Sequence, residues 1–283
     1  MRIFLTGAQG QLGKACQAEF ATHKLFLADI DTCDITDSES CRTALESFSP
    51  DLIIHTAAYT NVKQAEVDPD VCYRVNLDGT YNLARYARAH SCRFVYISTD
   101  FVFGGESDKP YNEHDAVNPQ SVYARSKLAG ELLVQDLVRD HYILRTAWLY
   151  GAGKNFVQTI ITLAQTKEEL PVVSDQYGTP TYAVDLAHYI SQVLQTQTPG
   201  IYHATNEGSA SWADFAREIL RLKGLTNQVI PITTQEAAIR FSDPTVRPAY
   251  SVLNKDKLKR ITPVRKWQEA LQDYLSAPTT RNK

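Results

Sequence analysis

The sequence predicts an α/β fold: a doubly wound parallel sheet over residues 1–150, joined to a smaller α/β lobe over residues 151–283. Three observations predict it. The first half alternates short, nearly continuous apolar runs with amphipathic stretches of helical period, as βαβ crossovers around a sheet covered on both faces require. A glycine-spaced turn, "TGAQGQLG", stands directly between the first apolar run and the first amphipathic stretch. After Gly151 the alternation loosens into helical segments separated by turn-rich stretches such as "VVSDQYGTPT" and "SDPTVRPAYS".

The elements follow in order. "RIFLTG" reads as a buried strand, residues from about Gln11 to Phe20 as a helix, and "KLFLA" as a second strand. "DITDSESCRTALESF" opens on Asp and Ser and then carries apolar residues at helical spacing, so it reads as a capped helix. "DLIIHTAA" is a third strand, "VCYRVNLDGTYNLARYARAH" a single long helix, and "RFVYIS" a fourth strand. Residues from Tyr123 to Asp140 form a helix, and "YILRTAWLYG" one fifth strand. In the second half, helices are expected at Asn155 to Gln165, Ala183 to Leu194, Ser211 to Leu222 and Val264 to Leu275, with "GIYHAT" as a short strand. Some of these later segments are expected to return to the first domain. A polar, frayed tail is expected from Ala277.

Bulk properties exclude several classes. With 43% hydrophobic and 22% charged residues the chain has the composition of a soluble globular protein, and a net charge of −3 gives no reason to expect a nucleic-acid or anionic-membrane partner. No apolar run approaches the roughly 20 residues that span a bilayer. Met1 and Arg2 lead straight into the first strand, so no signal peptide is expected. The five cysteines (Cys16, Cys33, Cys41, Cys72 and Cys92) never fall in a CxxC pair, which points to a reducing cytoplasm rather than a disulfide framework. The seven histidines lack metal-ligand spacing, so no protein-built metal site is expected.

The chemistry begins at the glycine turn. Gly7, Gly10 and Gly13 permit a tight turn, close approach of backbone to a phosphate, and close packing of the next helix. That helix directs free N–H groups and its positive end at a pyrophosphate, so the strand–turn–helix context predicts a Rossmann-like, dinucleotide-binding site. Asp29 closes the second strand about twenty residues on. A carboxylate there accepts hydrogen bonds from a ribose and repels a 2′-phosphate, which leans towards NADH over NADPH; Asp31 is an alternative. Asp34 belongs either near the adenine or at the cap of the next helix. Ala57 and Ala58 are small enough to let a cofactor run close to the backbone, or simply pack the core.

Tyr123 and Lys127 are four residues apart and share a helix face, which by itself any helix offers. Their company changes their meaning. Ser98, Thr99 and Asp100 end the fourth strand, and the three features together resemble the extended short-chain dehydrogenase/reductase superfamily. The stretches "GAQGQLG", "AAYTNVKQAE", "YISTDFVFGG", "VYARSKLAGE", "RTAWLYG", "DQYGTPTYAVDLA" and "RPAYSVL", in that order, are similar to the dTDP-4-dehydrorhamnose reductases from residue 4 to about residue 253.

The resemblance implies reduction of the C4 ketone of dTDP-6-deoxy-L-lyxo-4-hexulose by NADPH or NADH, giving dTDP-L-rhamnose for surface polysaccharides. It places the proton donor at Tyr123, its lysine partner at Lys127, and the threonine beside the ketone at Thr99. Substrate contacts fall on Asp100 and Trp148, and cofactor contacts on Gly10, Gln11, Leu12, Asp29, Asp34, Ile35, Ala57, Ala58 and Tyr59. Elementary chemistry agrees. A hydride leaves an alkoxide that needs a proton, a neighbouring ammonium lowers a tyrosine pKa towards the working range, and a threonine hydroxyl donates to the developing oxyanion. Trp148 offers a flat face and an N–H, with core packing as its alternative; Arg145 belongs either to a structural ion pair or to the mouth of the site. Arg247 is either a bidentate clamp on the diphosphate or a surface arginine before a turn.

One departure stands out. Some family members bind magnesium through glutamates at a dimer interface, where this chain has Ala15 and Val184. A homodimer, if formed, is therefore expected without a metal bridge, and activity without a protein-bound magnesium ion. Two other readings of the scaffold are an NDP-sugar epimerase or 4,6-dehydratase and a non-catalytic, cofactor-binding regulatory subunit. The first is disfavoured because Asp100 is followed by Phe101 rather than a second acid, the second by the intact Thr99, Tyr123 and Lys127 set.

Overall fold

A computed structural model describes residues 1–243 and 245–277; the tail expected beyond Ala277 lies outside the described residues. The first half runs β1 (Arg2–Thr6), α1 (Gln11–Glu19), β2 (Lys24–Ala28), α2 (Ser38–Phe48), β3 (Leu52–His55), α3 (Val62–Val67), α4 (Pro69–Tyr73), α5 (Gly79–His90), β4 (Arg93–Thr99), α6 (Val122–Leu137) and β5 (His141–Thr146). The second half runs β6 (Leu149–Tyr150), α7 (Phe156–Ala164), β7 (Glu169–Val173), β8 (Tyr177–Gly178), β9 (Thr181–Tyr182), α8 (Ala183–Gln195), β10 (Gly200–His203), β11 (Ala210–Ser211), α9 (Trp212–Lys223), β12 (Gln228–Ile232), α10 (Thr234–Phe241), α11 (Asp256–Lys259) and α12 (Trp267–Ser276).

Six strands form one parallel sheet in the order β10-β5-β4-β3-β1-β2. Direction of winding reverses between β1 and β3, and in such sheets the crevice at the strands' carboxyl ends at that point holds the ligand. Alternation along β1 shows why two layers cover the sheet. Ile3 and Leu5 face α1 and α8, where they meet Leu12, Cys16, Tyr189 and Ile190. Phe4 faces the other way and packs with Leu45, Phe48, Leu83 and Val134 of α2, α5 and α6. Each fully buried aliphatic or aromatic side chain contributes about 1.5–3 kcal/mol, so these two layers hold the sheet rigid. A third core, around Tyr150, Val157, Phe215, Ile219, Trp267 and Leu271, belongs to the second half.

Sequence and structure part company in three places. The long helix expected from Val71 to His90 is α4 and α5 joined by a π-helical turn, Arg74–Asp78. The fifth strand breaks: Trp148 adopts a left-handed backbone (φ 44), and Leu149 and Tyr150 leave the sheet to pair with Thr181 and Tyr182 of β9. A bulky residue in that region is uncommon and costs energy, a frequent signature of functional sites. "GIYHAT", expected as a short strand, is one of the later segments that return to the first domain, as the sixth strand of the main sheet, and α8 before it covers α1. The parallel β7–β12 pair and the helices α3, α10 and α11 carried too little periodicity to be read. No described helix is long and apolar enough to cross a membrane.

Candidate active site

The glycine turn is shaped by contacts that forbid a side chain. Gly7 has φ 64, and a Cβ there would lie 2.7 Å from the Ala57 nitrogen. A Cβ on Gly13 would lie 2.1 Å from the Gly7 carbonyl oxygen, so only glycine lets α1 sit this close to β1. Gly10 caps α1 without any side-chain hydrogen bond, and the first helical bond runs from Lys14 N–H to the Gly10 carbonyl at 3.0 Å. The amides before Lys14 therefore have no helical acceptor and point, with the helix dipole, at the cleft. Asp29 sits on the rim of the same turn. Its Oδ2 accepts from Gln9 N–H and its Oδ1 from Ile30 N–H, both at 2.9 Å, which holds the carboxylate in place.

A cleft of about 860 Å³ runs from this turn to the ends of β4 and β5. Gly7, Gly10, Gln11, Leu12, Asp29, Asp34, Ile35, Ala57 and Ala58 line one end; Thr99, Asp100, Tyr123, Lys127 and Trp148 line the other. Two expected cofactor residues stand behind it. Gly13 supports the turn from beneath, and Tyr59 packs with Tyr73 and Tyr123 around Cys72 while donating its N–H to Asn76 Oδ1 at 2.8 Å. Asp34 does not cap α2. Its Oδ1 accepts from the Thr36 N–H and hydroxyl (2.9 and 2.8 Å), and Asp37 caps the helix instead.

Helix α6 delivers Tyr123 and Lys127. Ser121 caps it by accepting from Ala124 N–H (3.2 Å), and a buried ion pair between Glu131 and Arg145 of β5 fixes it to the sheet. Arg145 is therefore structural: Nε donates to Glu131 Oε2 at 3.2 Å and Nη1 to the Glu113 carbonyl at 3.2 Å. Lys127 is only 3% exposed, with Nζ 4.1 Å from the Tyr96 ring centroid. Burial lowers its pKa to about 7, opposed by the charge of Glu131. The expected lowering of Tyr123 by Lys127 is not what this state of the protein shows. Burial pushes the phenol up, a hydrogen bond from Thr99 works the other way, and Asp100 adds to the rise.

Asp100 is 2% exposed, and burial raises its carboxyl to about 7, with the Ser251 and Thr99 side chains acting the other way. The Thr99 hydroxyl lies 3.1 Å from Asp100 Oδ1. Four buried atoms of the cleft wall, Gln11 Oε1, Ser98 Oγ, Asp100 Oδ2 and Thr146 Oγ1, have no partner among the described residues. Native proteins pair such atoms, so a wall carrying four suits a polar ligand. With the glycine cradle and the uncapped helix, it fits a dinucleotide beside a hydroxylated substrate.

Asn76, Ser126, Trp212 and Ser251 were not singled out from the sequence. Asn76, buried in the π-helical turn, donates to the Tyr59 carbonyl (3.1 Å) and to Ser126 Oγ (2.9 Å), which in turn donates to the Tyr123 carbonyl (2.8 Å). An asparagine in the middle of an otherwise regular helix was the available signal. Trp212 stacks on Trp148 with centroids 3.5 Å apart and planes at 9°; nothing in the spacing of two distant tryptophans announces that. Arg247 lies outside the main cleft, in a neighbouring hollow of about 330 Å³ that also includes Phe156, Thr234 and Trp212. Its Nη2 is paired with Asp243 Oδ2 at 2.9 Å. Among the described residues no cluster of three or more His, Cys, Asp or Glu is placed to hold a metal.

Known proteins resemble this chain in sequence and fold. The chain is 40% identical over 97% of its length, and 96% of the relative's, to the spore coat polysaccharide biosynthesis protein SpsK of Bacillus subtilis. It superimposes on a dTDP-4-dehydrorhamnose reductase from Clostridium acetobutylicum with TM-score 0.93 and 42% identity, covering 97% of this chain and 98% of that one. A dTDP-4-dehydrorhamnose reductase of Bacillus anthracis, solved in complex with NADP, gives TM-score 0.92 and 37% identity at coverages of 97% and 98%. A family model described as RmlD substrate binding domain matches residues 1–279, and with likeness of this extent in both sequence and fold, the chain belongs to that family.

Proposed function

We propose that this chain reduces the C4 ketone of dTDP-6-deoxy-L-lyxo-4-hexulose with NADPH or NADH, forming dTDP-L-rhamnose for surface polysaccharide. The observation that carries this reading is the meeting of Thr99, Tyr123 and Lys127 in one cleft with the glycine turn. The relatives' names and the NADP held by the Bacillus anthracis protein support it.

Residues 1–150, joined by β10 and α8, serve as the cofactor domain, and the remainder of residues 151–283 as the substrate lobe. The amides at the start of α1 take the pyrophosphate, Asp29 the adenine-side ribose, and the Ala57–Ala58 backbone the middle of the cofactor. When bound, the dihydronicotinamide supplies a hydride. Tyr123 gives its proton to the alkoxide oxygen, Thr99 donates to that oxygen as its charge develops, and Lys127 holds the ribose and favours the phenolate left behind. Asp100 and the Trp148 face contact the sugar. Arg247 acts at the edge of the nucleotide rather than as a free clamp, since Asp243 already takes its charge.

We read the protein as cytoplasmic, without nucleic-acid or membrane partners, and as a homodimer without a metal bridge. Ala15 of α1 and Val184 of α8 supply no carboxylate for such a bridge. The test is a coupled assay that makes the 4-keto sugar nucleotide in situ and follows NADPH and NADH separately. Substrate-dependent loss of reduced cofactor is expected. A flat trace with both would sink the reductase reading in favour of the regulatory one, and conversion of unmodified dTDP-glucose would favour a dehydratase.

A further inference from the structure

The geometry points to Asp100 as a proton reservoir for the reaction: a neutral carboxylic acid that returns a proton to Tyr123 through the Thr99 hydroxyl. The inference rests on the reductase reading above. Asp100 ends β4 inside the cleft wall, almost wholly shielded from water. One carboxyl oxygen lies 3.1 Å from Thr99 Oγ1, and the other is buried with no partner among the described residues. Among the described residues no cation forms an ion pair with it. A carboxylate in such a place would be an uncompensated buried charge, whereas a neutral acid costs far less. Its raised pKa agrees with that geometry. The surrounding groups are Tyr123 and Lys127 of α6, Thr146 on the neighbouring strand β5, and Ser251 from the second half. Thr99 and Tyr123 line the same cleft and the Thr99 side chain opposes the rise of the Tyr123 phenol, so Asp100, Thr99 and Tyr123 stand in sequence along its wall.

The proton balance is simple. Once the ketone carbon has gained its hydride, the alkoxide oxygen takes the Tyr123 proton, leaving a phenolate. That phenolate takes the Thr99 hydroxyl proton while Thr99 takes the proton of Asp100. The sugar hydroxyl, Tyr123 and Thr99 end neutral, and Asp100 ends as a carboxylate that accepts a hydrogen bond from the Thr99 hydroxyl. Water returns one proton to Asp100 when the product leaves and the cleft opens to solvent. Asp100 acts here through Thr99 and Tyr123, not on the ketone itself.

Asp100→Asn keeps the size and the hydrogen bond from Thr99 but holds no transferable proton. Its kcat is expected to fall about 10- to 100-fold with cofactor Kd within about twofold, less than the full loss of a general acid. In the wild type, kcat should decline as pH rises through the range where Asp100 deprotonates, and this limb should vanish in the Asn variant. The Lys127→Arg protein should retain it. The proton itself is read without turnover, from denaturant stability at several pH values. The folded acid holds more protons than the unfolded one between their two pKa values, so wild-type stability should fall relative to Asp100→Asn as pH rises from about 4 to about 7. A flat difference overturns the proposal, as does an Asn variant with unchanged kcat and pH limb. A wild type inactive on the 4-keto sugar would instead sink the reductase reading, while the stability series still decides whether Asp100 is neutral.

Discussion

The two ends of the cleft are built in opposite ways. At the glycine turn the site is backbone: Gly7 and Gly13 admit no side chain, the amides that open α1 have no helical acceptor, and Asp29 is held by two N–H groups. At the far end the site is side chains brought from distant segments, with Trp148 stacked on Trp212 and the Ser251 side chain opposing the rise of the Asp100 carboxyl. A backbone site is written in a few consecutive residues, because a φ near +64 and a place where a Cβ would lie 2.1 Å from a carbonyl oxygen each demand glycine. A side-chain site is written nowhere locally. Tyr123, Thr99 and Lys127 also line the far end, but α6 and β4 carry them on the same sheet as the glycine turn, so they link the two.

Removing the shared centre should have the largest effect. Tyr123→Phe keeps the ring that packs edge-on against Phe101 (6.1 Å, 81°) and removes only the proton. Its kcat should fall about 10²–10⁴-fold in steady-state assays. Cofactor affinity by fluorescence titration and the melting temperature should stay near those of the wild type, because neither end of the cleft has changed. Near-normal turnover would remove Tyr123 as the proton donor and leave the comparison without its centre.

Lys127 sharpens the same comparison because function and stability pull it in opposite directions. Replacing it by Met should abolish most turnover and weaken NADH and NADPH binding, while stabilising the cofactor-free fold near neutral pH. The stabilisation is roughly 1–3 kcal/mol, since a buried ammonium is exchanged for an apolar chain of similar length. The sign of the pH dependence follows from the lowered pKa. Between about 7 and the ordinary 10.5 the folded protein holds fewer protons than the unfolded chain, so wild-type stability rises with pH. The advantage of Lys127→Met is therefore greatest below pH 7 and fades above it, as urea titrations across that range will report. A Met variant less stable than wild type throughout would mean that the stack on Tyr96 and the charge of Glu131 outweigh desolvation.

Much of this was legible in the sequence, and the rest was not for physical reasons. Alternating apolar runs placed β1 to β5 because a strand buried on both faces has few other ways to be written. The glycine turn and Asp29 were legible for the reason already given. The break at Trp148 was not, because "YILRTAWLYG" remains apolar through the residue where the chain turns away from the sheet. Nor was the π-helical turn, which needs the long-range bonds of Asn76 to Tyr59 and Ser126 to hold it. The effect of Lys127 on Tyr123 was misjudged because spacing of i and i+4 says they are neighbours but not how dry the site is. In this cleft desolvation governs the phenol.

The smallest effect is expected at the far edge, and it is the one that most directly probes the side-chain end. Arg247 looked from the sequence like a phosphate clamp, yet its guanidinium is paired with Asp243 in a hollow that shares only Trp212 with the main cleft. A cation already bound to a carboxylate has less to give a diphosphate, and part of its worth is lost to screening at the surface. Arg247→Ala should therefore raise KM for the sugar nucleotide about 3- to 10-fold with kcat nearly unchanged, the mark of uniform binding. Cofactor Kd should not move. Asp243→Asn supplies the control, because it frees the guanidinium: if Arg247 touches the nucleotide, this variant should lower KM or leave it equal. A KM unaffected by either change would put Arg247 outside the substrate's reach, so that Trp212, which lines both spaces, becomes the outer wall of the site.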